Sequence, residues 1–285
     1  MLEVFRLEFM QNALAAGLLA SIACGIIGTY VVVKRIVFIS GGISHTAYGG
    51  VGLGYLLGIS PLLGATGFAL LASVIIGIAG LRLKTSSDTI IGMIWATGMA
   101  FGILFVSMAP GATPELMTYL FGNVLMVPKS DVYLMVILVL VIVVVVVSLY
   151  KEFFAVSFDE EYAAVLGLPV SSLYLILLAL VAMTVIILMR VVGIIMVIAL
   201  LTIPPATARL FVNRMVPMMV VSAIIGVVTT TSGLVSSYAL NEILGKPVPS
   251  GPIIILLAAL VFILSILFKK MCAGWYVVKE SESNV

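Results

Sequence analysis

Apolar runs, most of them close to the length of a membrane crossing, follow one another along this chain with short polar breaks between them. A helical crossing takes about 20 mainly apolar residues. The runs that approach this are 12–33, 43–57, 62–80, 89–108, 132–149, 172–189, 191–210, 218–240 and 252–268. They are continuous and do not alternate, so they read as helices, not as the strands of a membrane barrel. The second run is short and glycine-rich, which leaves eight or nine transmembrane helices. The expected fold is therefore all-α, a polytopic integral membrane helical bundle forming one domain over residues 1–285.

Composition agrees. The chain is 63% hydrophobic and 9% charged, too few charges to cover a water-soluble surface of this size. A net charge of +2 says little about partners, and no basic run points to nucleic acid, so membrane lipid is the expected surroundings. Cys24 lies in an apolar run and Cys272 near the end, so no disulfide framework or thiolate site is indicated. Met1 to Gln11 carries Glu3, Arg6 and Glu8 and lacks the pattern of a cleaved leader; it is expected to be mature sequence.

The positions of the charges set the orientation. Lys34, Arg35, Arg82, Lys84, Lys151, Arg209, Arg214, Lys269 and Lys270 fall on alternate connections, which the positive-inside rule places in the cytoplasm. Residues 271–285 are then a cytoplasmic tail, and nine spans put the N-terminus outside. Every carboxylate is expected in a terminus or loop, Asp131 among them. A stand-alone secondary carrier for a metal, the alternative of another class, needs ion-coupling carboxylates inside its spans. A Walker A loop is also missing, so energy for uphill transport must come from another chain. A membrane metalloprotease needs clustered ligands of the H-E-x-x-H kind, and one histidine does not supply them.

That histidine is His45, set among Gly41, Gly42, Gly49 and Gly50. Neutral imidazole is a common ligand of borderline transition metals, and ionisable groups at membrane depth mark pathways. The bland alternative is a helix-end histidine bonded to a backbone carbonyl. Ser44, Thr46 and Tyr48 offer further oxygens, although such hydroxyls more often bond the carbonyl four residues back. Met183, Met189 and Met196 read as packing in preference to copper(I) ligands. Pro204 and Pro205 are expected to kink or break their helix, as a gate or hinge or as the end of a span. Glu115 and Glu242 fall on external loops, at an entrance for cations or a partner.

The longest cytoplasmic connection covers 151–170. Asp159, Glu160 and Glu161 would cap and charge the start of a short helix, with Tyr162, Val165 and Leu166 as its apolar face. Gly167 and Pro169 would end it. An acidic, amphipathic helix of this kind suits docking to a soluble partner better than lying on lipid.

Several blocks carry a family resemblance. Glu161-Tyr-Ala-Ala-Val-Leu-Gly167 resembles the E-A-A-x-x-x-G coupling loop of ABC importer permeases. Together with Ile43-Ser-His45, Asp88-Thr-Ile-Ile-Gly-Met93, Tyr119-Leu-Phe-Gly-Asn123 and the stretch from Val192 to Arg209, it is similar to the manganese/zinc/iron permease family of ABC transporters. The blocks span nearly the whole chain in family order. The resemblance implies the permease subunit, not an enzyme itself, of a binding-protein-dependent importer in the cytoplasmic (inner) cell membrane. Its cargo would be a divalent metal ion, zinc or manganese first and iron next. It implies a homodimer, or a heterodimer with a paralogous permease, together with two cytoplasmic ATPase subunits that bind the ATP and an external metal-binding protein. Asp159, Glu160, Glu161, Ala163, Ala164 and Gly167 would then contact the ATPase. His45, Ser44 and Tyr48 would lie on the metal pathway. Family members commonly carry Asp four residues before the histidine; here that residue is Gly41, so a carboxylate–imidazole pair one turn apart cannot form. Permeases for a chelate such as a siderophore or cobalamin have similar coupling loops and are the alternative within transport, although they are usually longer.

Overall fold

In lipid a backbone amide has no water to bond, so each crossing segment satisfies its amides internally as a helix. The computed structural model describes residues 7–82, 87–110, 122, 124–246 and 248–283, and among them no strand occurs. Eleven α-helices follow in order: α1 (Glu8–Val33), α2 (Phe38–Leu57), α3 (Pro61–Arg82), α4 (Ser87–Met108), α5 (Lys129–Ser148), α6 (Tyr150–Phe158), α7 (Glu160–Val165), α8 (Val170–Val192), α9 (Ile194–Phe211), α10 (Met215–Leu244) and α11 (Ser250–Ser283). Eight of these are long and apolar enough to cross a membrane. α2 is not among these eight by composition, yet its 20 residues extend about 30 Å, and tight turns join it to α1 and α3. This second apolar helix starts at Phe38, five residues before the expected start, because glycine and serine dilute its hydropathy without breaking the helix.

Burial separates inner from outer helices. In α1, 72% of the apolar window is buried, against 22% in α4 and 17% in α11. α1 packs on α5, α8, α9 and α10, and α2 is enclosed by α3, α4 and α8. Apolar attraction does not distinguish a neighbouring helix from lipid, so close packing of small residues does the selecting. A Cβ added to Gly49 would lie 2.7 Å from the carbonyl oxygen of Gly98 in α4, and Gly50 sits directly against the Gly64 backbone of α3.

Three features add to the sequence expectations. The 151–170 connection is mostly helical, folded as α6 and α7. Pro204 and Pro205 do not end a span: α9 runs through both to Phe211. Pro205 leaves the Leu201 carbonyl without its helical donor, and that carbonyl lies against Gly28 of α1. Lastly, α11 carries helical backbone to Ser283, well into the stretch read as a tail.

The two ends of the bundle differ. One carries Lys34, Arg35, α6, α7 and Arg214; there Arg209 donates to the Val32 carbonyl at the end of α1, at 3.0 Å. The other carries Glu8 paired with Lys129 at 3.0 Å, and Asn12 donating to the Val127 carbonyl at 3.1 Å.

The contact at Gly28 gives a test. Leucine there would meet Pro205 Cγ, 2.8 Å from the new Cβ, and force α1 and α9 apart. Gly28→Leu is expected to cost about 2 kcal/mol, read as a lower thermal unfolding temperature in detergent.

Candidate functional site

His45 stands seven residues into α2, about 10 Å from its start. Its ring stacks on the indole of Trp95 in α4, with centroids 4.5 Å apart and planes 16° from parallel. Nδ1 is buried and has no hydrogen-bond partner. Ser44 and Thr46 donate to the carbonyls four residues back, Ser40 at 2.6 Å and Gly42 at 2.8 Å. Thr46 also reaches the Ile94 carbonyl, at 3.1 Å. Tyr48 is buried one turn beyond Ser44. Serine and threonine thus satisfy their protons on backbone, and the imidazole Nδ1 is left over.

Trp95 also accounts for Gly41. A Cβ at position 41 would lie 2.5 Å from Trp95 Cζ3 and 2.9 Å from Cη2. The indole occupies the space that an aspartate one turn before His45 would need. Trp95 itself was not singled out by sequence reasoning, since an aromatic in an apolar span carries no local signal of its partner.

Among the described residues no three His, Cys, Asp or Glu side chains gather as a metal cluster. Within one chain His45 is a single imidazole and not a closed ligand set.

At the basic end, Asp159 caps α7 by accepting from the Tyr162 amide at 2.9 Å. Glu160 and Glu161 follow in the first turn, where negative charge opposes the positive end of the helix dipole. Ala163 packs inward, while Tyr162, Val165 and Leu166 are 59%, 85% and 56% exposed. Gly167, at φ +79°, ends the helix. This is the short amphipathic element expected from the sequence, and its apolar face is open.

Opposite, the carboxylate inventory needs correction. Asp131 is not in a loop: it lies in the first turn of α5, buried, and pairs with Arg190 of α8 at 3.1 Å. Its side chain is 6% exposed and that of Arg190 47%, so the pair is buried on the acid side only. Arg190, read from sequence as snorkelling, also lines a cavity of about 250 Å³ with Val51, Ser60, Leu62 and Met189. Nearby, Glu242 is exposed in the last turn of α10, and Asn241 accepts from the Val248 amide. Glu115 lies outside the described residues, as do most of 119–123.

A model of the ABC 3 transport family matches residues 6–269. The chain belongs to the ABC 3 transport family. It is similar to an uncharacterized membrane protein, slr2045, of Synechocystis (44% identity, 95% of this chain, 94% of that one). It is 33% identical to the manganese transport system membrane protein MntC of Listeria monocytogenes, over 92% of this chain and 91% of that one. Among solved structures it resembles PsaBC from Streptococcus pneumoniae in complex with Fab, with a TM-score of 0.81, 30% identity and 93% of each chain covered. As an ABC 3 protein it is a multi-pass membrane subunit of an ABC transporter, which agrees with the missing Walker A loop.

The Asp131–Arg190 pair predicts an asymmetry. Arg190→Ala leaves a buried carboxylate without its cation and is expected to cost about 3 kcal/mol. Asp131→Ala leaves a half-exposed guanidinium that water can solvate, at about 1 kcal/mol or less. Thermal unfolding of the two variants in detergent checks the order.

Proposed function

We propose that this subunit is the permease of an importer for divalent transition metal, with manganese the first cargo to test and zinc and iron next. The relatives named for manganese transport support the cargo. The observation that carries it is His45, the chain's one imidazole, half-buried midway along an apolar helix with Nδ1 buried and unpartnered. A transporter must release its ion, so an open, sparse ligand set suits it better than the closed cage of a structural site. His45 from two copies, with water, backbone oxygens or the Ser44 and Tyr48 oxygens, would hold an ion briefly. Pro204 and Pro205 in α9 offer a hinge, and Glu115 and Glu242 an entrance on the outer side.

In this reading the end that carries Lys34, Arg35 and Arg214 is cytoplasmic, as is the C-terminus, and the membrane is the cytoplasmic one. α7 then faces the ATPase. Its exposed Tyr162, Val165 and Leu166 suit a hydrophobic groove on that subunit, with the acidic first turn fixing orientation. Two ATPase subunits bind the ATP, a second copy or a paralogous permease completes the pathway, and an external binding protein delivers the metal.

The test is uptake by proteoliposomes that contain the permease with its ATPase and binding protein. Manganese uptake is expected to require ATP and to fall at least about tenfold in His45→Ala, with ATP hydrolysis retained. Uptake of a metal chelate but of no free ion would overturn the proposal, as would a His45→Ala protein with unchanged uptake.

A further inference from the structure

The docking helix and the turn that leads into α2 meet at one side chain. Lys34 follows α1 directly, at the edge of the bundle, where a lysine ordinarily extends its ammonium into water. Its side chain is instead only 6% exposed. The ammonium pairs with Glu160 of α7 at 2.7 Å, donates to the Val156 carbonyl of α6 at 2.8 Å, and lies 5.0 Å from the centre of the Tyr174 ring of α8. One cation thus holds three successive helices of the docking segment.

On its other side Lys34 is joined to a rigid turn. Its own amide bonds the Tyr30 carbonyl at 2.9 Å, and the Ile36 amide bonds that of Val31 at 3.0 Å. Between them Arg35 takes φ +59°, the left-handed cap geometry that glycine usually fills. α2 starts three residues later and carries His45. Among the described residues, the other two ion pairs lie at the opposite end of the bundle. Lys34–Glu160 is therefore the charged link between the docking segment and the first two helices.

We propose that Lys34 transmits displacement of α7 to the α1–α2 turn and so to the helix that carries His45. The inference rests on the functional reading above, in which α7 receives the ATPase. Among the described residues α7 packs closely on α6 and α8 and not on α1 or α2, so Lys34 is the side chain that joins it directly to the end of α1. Through Lys34, a push on Tyr162 and Val165 moves the turn. Lys34 is a positioning residue, remote from the metal.

The experiment reads two rates in the reconstituted complex, manganese uptake and ATP hydrolysis, for Lys34→Met, Glu160→Gln, the double variant and Lys34→Arg. Each single variant is expected to lower manganese transported per ATP roughly tenfold; Lys34→Met, which leaves the docking face itself unaltered, is expected to keep the ATPase co-purifying and hydrolysing ATP. The double variant should be no worse than either single one, because both remove the same link. Lys34→Arg should keep most of the coupling. Should Lys34→Met fail to fold, Lys34→Gln carries the test, with Glu160→Gln, whose side chain is 45% exposed, as the partner-side check. A wild-type ratio in Glu160→Gln would overturn the proposal, as would single losses that multiply in the double variant. If the unsubstituted complex takes up no manganese with ATP, the functional reading fails, and this inference with it.

Discussion

Close approach of α2 to its neighbours is the contact on which the rest of the structure depends. Helices in lipid gain nothing from merely meeting another apolar surface, so an interior helix must offer contacts that lipid does not. α2 does this with backbone: Gly50 lies on the Gly64 backbone and Gly49 on the Gly98 carbonyl. Packed at that distance, α2 buries Ser44 and Thr46 and holds His45, half-buried, against Trp95. Bulkier residues at those glycines would push α3 and α4 away and open the Trp95–His45 stack to lipid.

Most buried hydroxyls inside the bundle are satisfied on their own helix, and a few buried polar atoms are not. Ser21, Thr29, Ser44 and Thr184 all donate to the carbonyl four residues back, at 2.6 to 2.7 Å. These bonds cost little and carry no message. His45 Nδ1 and Asp131 Oδ1 have no such partner. Lys34 has three, none of them in its own helix. Ion pairs thus fasten both ends, Asp131–Arg190 joining α5 to α8 at one and Lys34–Glu160 joining α7 to α1 at the other, while His45 Nδ1 on α2 has no partner.

Much of this was legible in the chain. Continuous apolar runs gave the helices, and basic residues on alternate connections separated the two ends. The Asp159–Gly167 pattern gave α7 with its cap and its glycine exit, because those signals are local. What was hidden depends on distant partners. Asp131 reads as a loop residue until Arg190, 59 positions later, is seen beside it. Lys34 reads as one more cytoplasmic charge until α6, α7 and α8 fold over it. Pro204-Pro205 reads equally as a kink or hinge and as the end of a span; α9 continues through both, and Gly28 leaves room for the freed carbonyl. Trp95 explains Gly41 only once α2 and α4 are side by side.

The central claim is that metal passes His45, and the chain's single histidine makes this open to direct observation. Electron spin-echo modulation of manganese(II) bound to the permease, purified without a histidine tag, reports nitrogen directly coordinated to the ion. Imidazole nitrogen modulation in the wild-type protein that disappears in His45→Ala is the result expected. Bound manganese without nitrogen modulation, or modulation that survives His45→Ala, would contradict the account.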